Sequence, residues 1–237
     1  MNEVKGFLPI HILKEKEFSE EENCPYFPER KSRNEFMLAT DLSGEEFNEL
    51  LKNGWRRFGI YFFRPNCKYC NACIPIRIPV NKFMLSKSQR RVQKKNKDTK
   101  VIVRELSFHE SLYDLYEDHS KRFDQESSRE NFIQTFFHRS VPAIQTEYYV
   151  NEKLSGFGFI DIGKEGASSV YFVFGSEFSK LSIGTFGVIK EIEISKNSGL
   201  DYYYLGYYLE KNKHMKYKNS FKPYELYDWG KDIWVQY

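Results

Sequence analysis

From Phe108 onward the spacing of apolar residues changes period twice, and this limits what the chain can build. Phe108, Leu112, Leu115, Tyr116, His119 and Phe123 recur at intervals of three and four, the stripe of an amphipathic helix. Arg129 to His138 reads as a second helix. Three runs rich in branched and aromatic residues follow, Thr146 to Val150, Gly156 to Ile162 and Ser169 to Phe174. They are parted by Lys153 and by a turn from Gly163 to Ala167, which predicts an antiparallel meander. Thr185 to Ser198 predicts a helix stopped by Gly199, and Tyr202 to Leu205 a buried strand after it. Helices, meander, helix and strand in that order give an α+β fold class.

The first half is less regular. Ser43-Gly44-Glu45-Glu46 fits a capping box, in which serine and glutamate each satisfy an unpaired N–H at a helix start. Phe47, Leu50 and Leu51 continue at helical spacing to Gly54, so a short helix is expected over residues 44–53. Phe58 to Phe63 and Ile74 to Val80 read as strands on either side of a cysteine cluster. Lys94 to Lys100 has no apolar anchor and is the best junction, giving residues 1–97 as a smaller Cys-containing N-terminal domain with a basic helix, and 98–237 as the second domain. A chain of 237 residues with 41% hydrophobic and 17% aromatic residues has ample material for a core, which excludes a disordered protein. Met1 to Glu22, with Lys5, Lys14 and Lys16, lacks an apolar run suited to a signal peptide, and nothing later approaches a membrane span. A cytoplasmic protein that uses no membrane is expected. In a reducing compartment four cysteines argue against structural disulfides.

Three segments carry chemistry. Cys67-Lys68-Tyr69-Cys70-Asn71-Ala72-Cys73 spaces three thiols so that they can converge on zinc or an iron-sulfur cluster, with Cys24 as the fourth ligand. The same thiols fit equally well as free cysteines, buried or loosely exposed, and less readily as a redox sensor. Ser86 to Lys95, placed on a helix, puts Lys87, Arg90, Arg91, Lys94 and Lys95 on one face. Five like charges repel, so a polyanion such as tRNA is one explanation and a solvated basic face is the other. The net charge of only +3 makes this local clustering the relevant quantity. The run Tyr202-Tyr203-Tyr204-Leu205-Gly206-Tyr207-Tyr208, with Lys216-Tyr217-Lys218 beyond it, could line a cleft with aromatic faces and cations, or simply pack.

Walker, dinucleotide, His-Glu-x-x-His and nucleophile-elbow motifs are all missing from the sequence. A coenzyme A pyrophosphate loop should be a Gly-rich turn at a helix start. Leu181 to Gly187 offers two separated glycines and no arginine, which makes a poor one.

Together these segments resemble the aminoacyl-tRNA-protein transferase family, which includes arginyl and bacterial leucyl types. The resemblance runs nearly end to end. It takes in Cys24-Pro25-Tyr26, Gly54 to Gly59, Tyr61 to Pro65, Cys73 to Arg77 and Ser86 to Arg91, then Ser168 to Phe172, Leu181 to Phe186, Tyr204 to Tyr208 and Met215 to Lys218. It implies an N-acyltransferase (GNAT-like) C-terminal domain. It also implies transfer of leucine or arginine from aminoacyl-tRNA to proteins with N-terminal Asp or Glu, marking them for degradation by the N-degron route. The compact length and cysteine spacing look like the leucyl type, aspartate/glutamate leucyltransferase. Many members have Asp-Pro where this chain reads Gly175-Ser176.

The aminoacyl ester is already activated, so the transfer needs no ATP and no cofactor. An acidic first residue requires a cation, because a buried unpaired carboxylate is costly. Arg77, Arg90, Arg91 and Lys218 form the pool for that role, and Lys216, Tyr207 and Tyr208 complete the substrate-binding expectation. Lys87, Lys94 and Lys95 are the expected tRNA contacts, and no general base is named. The rival readings are a coenzyme A-dependent N-acetyltransferase and a non-catalytic tRNA-binding module.

Overall fold

A computed structural model describes residues 11–123 and 128–237. Lys5 of the leader reading and the side chain of Phe123 lie outside the described residues. The strands are β1 (Ile12–Phe18), β2 (Glu22–Asn23), β3 (Lys31–Ser32), β4 (Asn34–Ala39), β5 (Arg56–Phe58), β6 (Tyr61–Pro65), β7 (Ile74–Pro79), β8 (Lys100–Glu105), β9 (Ala143–Val150), β10 (Lys153–Ile162), β11 (Gly166–Phe174), β12 (Tyr202–Tyr208), β13 (Glu225–Asp228) and β14 (Ile233–Gln236). The helices are α1 (Gly44–Lys52), α2 (Lys87–Lys95), α3 (Glu110–Ser120), α4 (Arg129–Phe136) and α5 (Ile183–Asn197).

The capping box at Ser43 forms as expected: its hydroxyl accepts from Glu46 N at 3.2 Å, and Glu46 Oε2 accepts from Ser43 N at 2.8 Å. A second box, between Ser86 and Gln89, starts α2. The single run expected over residues 58–63 is divided by the turn of the β5–β6 hairpin, with Phe58 ending β5 and Tyr61 to Phe63 lying in β6. Gly59 sits at the corner of that turn with φ of +56°, which costs glycine little.

Two main sheets result, a four-stranded one in the order β1-β4-β6-β5 and an eight-stranded mixed one in the order β14-β13-β7-β12-β11-β10-β9-β8. The expected meander is present as β9-β10-β11, extended at one edge by β8. On the other side β7 lies between β12 and β13, antiparallel to both, so the large sheet draws on chain from either side of residue 97. α5 packs on this sheet through Val188, Ile189 and Ile192, which are buried with Ile76, Ile78 and Tyr203. Phe132 and Phe136 of α4 bury Phe157 and Phe159 on the same sheet. The small sheet has its own core of Met37, Phe47, Leu51, Trp55 and Phe62, which meets the large sheet at Tyr204. Among the described residues, no helix is long and apolar enough to cross a membrane.

Candidate functional site

β11 and β12 run parallel and pair only from Gly166–Tyr202 to Ser168–Tyr204. β11 continues to Phe174 and β12 to Tyr208, so the two strands part. Parallel strands that diverge leave backbone groups open to a ligand or a side chain. Here a side chain enters from the small sheet: Arg56 Nη2 on β5 donates to Ser169 O on β11. Arg56 Nη1 is buried and has no hydrogen-bond partner among the described residues.

β12 bends where its pairing with β7 shifts register between Tyr204 and Tyr207. Gly206 has φ of +86° there, and a Cβ would stand 3.2 Å from Arg56 Nη1 and 3.4 Å from Lys218 Nζ. The dihedral favours glycine at this position, and a side chain there would press on the two cations. Lys218 lies in a short turn, Lys216–Ser220, and its buried Nζ donates to Tyr207 O at 2.9 Å. Burial, reinforced by Arg56, lowers the Lys218 ammonium to about 7. Burial also lowers Arg56. Tyr207 is anchored by its hydroxyl, which donates to Gly54 O at 2.9 Å. On the α5 side of the sheet, the Tyr203 hydroxyl donates to Glu191, whose carboxyl is raised to about 7 by burial.

The register of β7 brings the cysteine loop to the end of β12, since Ile74, next to Cys73, pairs with Tyr208. All four cysteines line one cavity of about 140 Å³, together with Tyr26, Phe63, Arg30 and Tyr207. Cys67 and Cys70 bridge the loop, and Arg30 Nη1 donates to Cys70 Sγ at 3.4 Å. Burial, with Cys24 adding to it, pushes the Cys73 thiol up to about 12. Four thiols are a donor set that suits zinc or an iron-sulfur cluster. As placed, however, no group of three or more His, Cys, Asp or Glu among the described residues is drawn together closely enough to hold a metal ion.

Of the other residues singled out in the sequence, Lys218 and Tyr207 meet beside Arg56. Tyr208 is buried in the main core, and Asn219 Nδ2 donates to its hydroxyl at 3.3 Å. Arg77 is engaged elsewhere: it pairs with Glu225 at 2.7 Å, donates to Tyr204 Oη at 3.1 Å, and stacks 3.7 Å from the Tyr202 ring and 4.3 Å from the Trp234 ring. Arg90 is exposed and donates to Leu85 O at 2.6 Å, and Arg91 and Lys216 are exposed. None of Arg77, Arg90, Arg91 and Lys218 lines the cysteine cavity, so the four cations do not converge there. Lys87, Lys94 and Lys95 stand exposed on the outer face of α2, with Lys95 Nζ donating to Lys180 O at 3.2 Å. Arg56 was not singled out for any role, although it lies in the Gly54–Gly59 stretch of the family resemblance. Its neighbour in the bend, Gly206, lies in the tyrosine-rich run and the Tyr204–Tyr208 segment of the resemblance, where nothing local points to its positive φ.

The large mixed α/β sheet with its two parted parallel strands defines the fold class. L-PGS from Bacillus licheniformis shares it with a TM-score of 0.52 at 13% identity, over 70% of this chain and 58% of that protein. Sequence narrows the class. The family model described as "Arginine-tRNA-protein transferase, N terminus" matches residues 22–91, and the one described as its C terminus matches residues 109–228. An aspartate/glutamate leucyltransferase of Campylobacter jejuni (strain 81-176) is 35% identical over 221 residues, covering 90% of this chain and 92% of that one. The protein of the same name from Marinobacter nauticus is 32% identical, covering 86% and 88%. The chain belongs to the arginine-tRNA-protein transferase family and is an aminoacyltransferase.

Proposed function

We propose that this enzyme moves leucine from charged tRNA to the α-amine of proteins that begin with aspartate or glutamate. The observation that carries this reading is the parting of β11 and β12 beside Arg56, Gly206 and Lys218, in a chain that matches leucyltransferases over nine-tenths of its length. An N-terminal amine has a pKa near 8, so freeing it of its proton at neutral pH costs only about 1 kcal/mol. Holding amine and ester together contributes about 7 to 11 kcal/mol, which makes positioning the dominant effect. The exposed basic face of α2 supports contact with tRNA phosphates. The small sheet and its cysteine loop form a smaller N-terminal unit that borders the acceptor side, and the reaction takes place in the cytoplasm. Cys24, Cys67, Cys70 and Cys73 would be the ligands of any zinc or iron-sulfur centre, and no step of the transfer passes through it.

The test is to incubate the purified enzyme with labelled leucyl-tRNA or arginyl-tRNA and peptides beginning with Asp, Glu or Ala. Label is expected on the Asp and Glu peptides from leucyl-tRNA. Transfer from arginyl-tRNA alone would change the donor, and no transfer from either would overturn the reading.

A further inference from the structure

Several arginines withdrawn from solvent are matched by carboxylates, and Arg56 is not. Arg57 pairs with Asp161, Arg64 with Glu35 at 2.7 Å, and Arg77 with Glu225 at 2.7 Å. Arg56 forms no ion pair among the described residues, and neither does the buried Lys218 beside it. Each cation uses one donor on a backbone oxygen, Arg56 on Ser169 O and Lys218 on Tyr207 O, and Arg56 Nη1 is left with nothing. Charging two buried groups without a counter-charge is costly, which is why Lys218 gives up its proton more readily than usual, and an arriving anion would offset that cost. Gly206 puts no side chain between them, and the position of its absent Cβ lies 3.2 Å from one cation and 3.4 Å from the other, within reach of both donors. The cysteine cavity adjoins this place, because Tyr207, on its wall, also gives its backbone oxygen to Lys218 Nζ.

We infer that Arg56 and Lys218 together hold the side-chain carboxylate of the acceptor's first residue, in the gap over Gly206. This rests on the aminoacyl-transfer reading and names the specificity site within it. A carboxylate has two oxygens for two donors, Nη1 and Nζ, and charge-assisted bonds of this kind are about twice as strong as neutral ones. Asparagine and glutamine have the shape but not the charge, so they leave both cations unmatched. The leucyl group of the donor has an amine and an ester but no anion, so it cannot match them either.

Kinetics with leucyl-tRNA and peptides beginning with Asp or Asn test the assignment in the wild type, Lys218→Met and Arg56→Lys. Lys218→Met keeps the length of the side chain in a buried position, and Arg56→Lys keeps the charge while losing Nη1. KM for the Asp peptide is expected to rise tenfold or more in each, while affinity for leucyl-tRNA by filter binding stays within twofold. If Arg56→Lys fails to fold by circular dichroism, Lys218→Met decides alone. A folded Lys218→Met variant with the wild-type KM for the Asp peptide would overturn the site, and so would one that loses tRNA affinity instead. Should the wild type transfer nothing from any tRNA, the proposed function falls, and the site is then judged by fluorescence anisotropy of labelled Asp and Asn peptides. A preference for Asp that Lys218→Met abolishes would sustain the site, and equal binding of the two peptides would end it.

Discussion

Glu191 and Asp161 are both fully buried carboxylates, and the fold accommodates them differently. Asp161 is matched by Arg57, which also donates to Gly59 O at 3.1 Å, so a charged pair spans from the small sheet to β10. Removing one member of such a pair strands the other charge. Asp161→Asn is therefore expected to lower the unfolding free energy by about 3 to 5 kcal/mol, read from urea denaturation. Glu191 has a tyrosine hydroxyl and no cation, and burial raises its carboxyl to about 7. The folded protein then keeps this proton between pH 4.5 and 7 while the unfolded chain has released it. The stability it contributes is complete below pH 4.5 and is lost as pH rises through 7. Comparing urea midpoints of the wild type and Glu191→Gln at pH 5 and pH 7 checks this. The wild type should lose more stability across the interval, by at most about 1.4 kcal/mol per pH unit, and equal losses would contradict it.

At the scale of elements, α2 docks through amides and not through an apolar stripe. Gln89 Nε2 donates to Ser220 O at 3.2 Å, Gln93 Nε2 to Glu193 Oε1 at 3.0 Å, and Asn96 Nδ2 to Leu181 O at 2.8 Å. The inner face is thus satisfied by hydrogen bonds to α5 and the loops beside it, and the outer face is left to the cations. Replacing Lys87 and Lys94 by Ala removes charge without touching these bonds. The double variant is expected to bind tRNA more weakly and to flatten the plot of log affinity against log salt by about 0.7 to 0.9 per lost phosphate contact. A slope equal to the wild type's would place the tRNA contact elsewhere. Hydrophobic periodicity does not register amide docking, so this contact is not legible in the sequence.

For the whole molecule, the decisive feature is where β7 goes. A strand from the cysteine-bearing part enters the large sheet between β12 and β13, which brings Cys73 beside Tyr207 and Lys218 and ties the two sheets at one site. Elements governed by neighbours in sequence were legible beforehand. The capping box of α1, the α5 helix, the meander and the basic face of α2 each follow from residues a few positions apart, whose periodicity and hydrogen bonds are local. The cysteine spacing and the family segments were equally plain. Contacts closed across the chain were not. Arg77 belonged to the expected acceptor pool by type, yet Glu225 and Trp234, about 150 residues away, engage it, and Arg56 acquires its importance from Ser169 and Lys218. Local free energies are written in short stretches of sequence, whereas the matching of buried charge depends on which strands the fold sets side by side, and that is decided only when the sheets close.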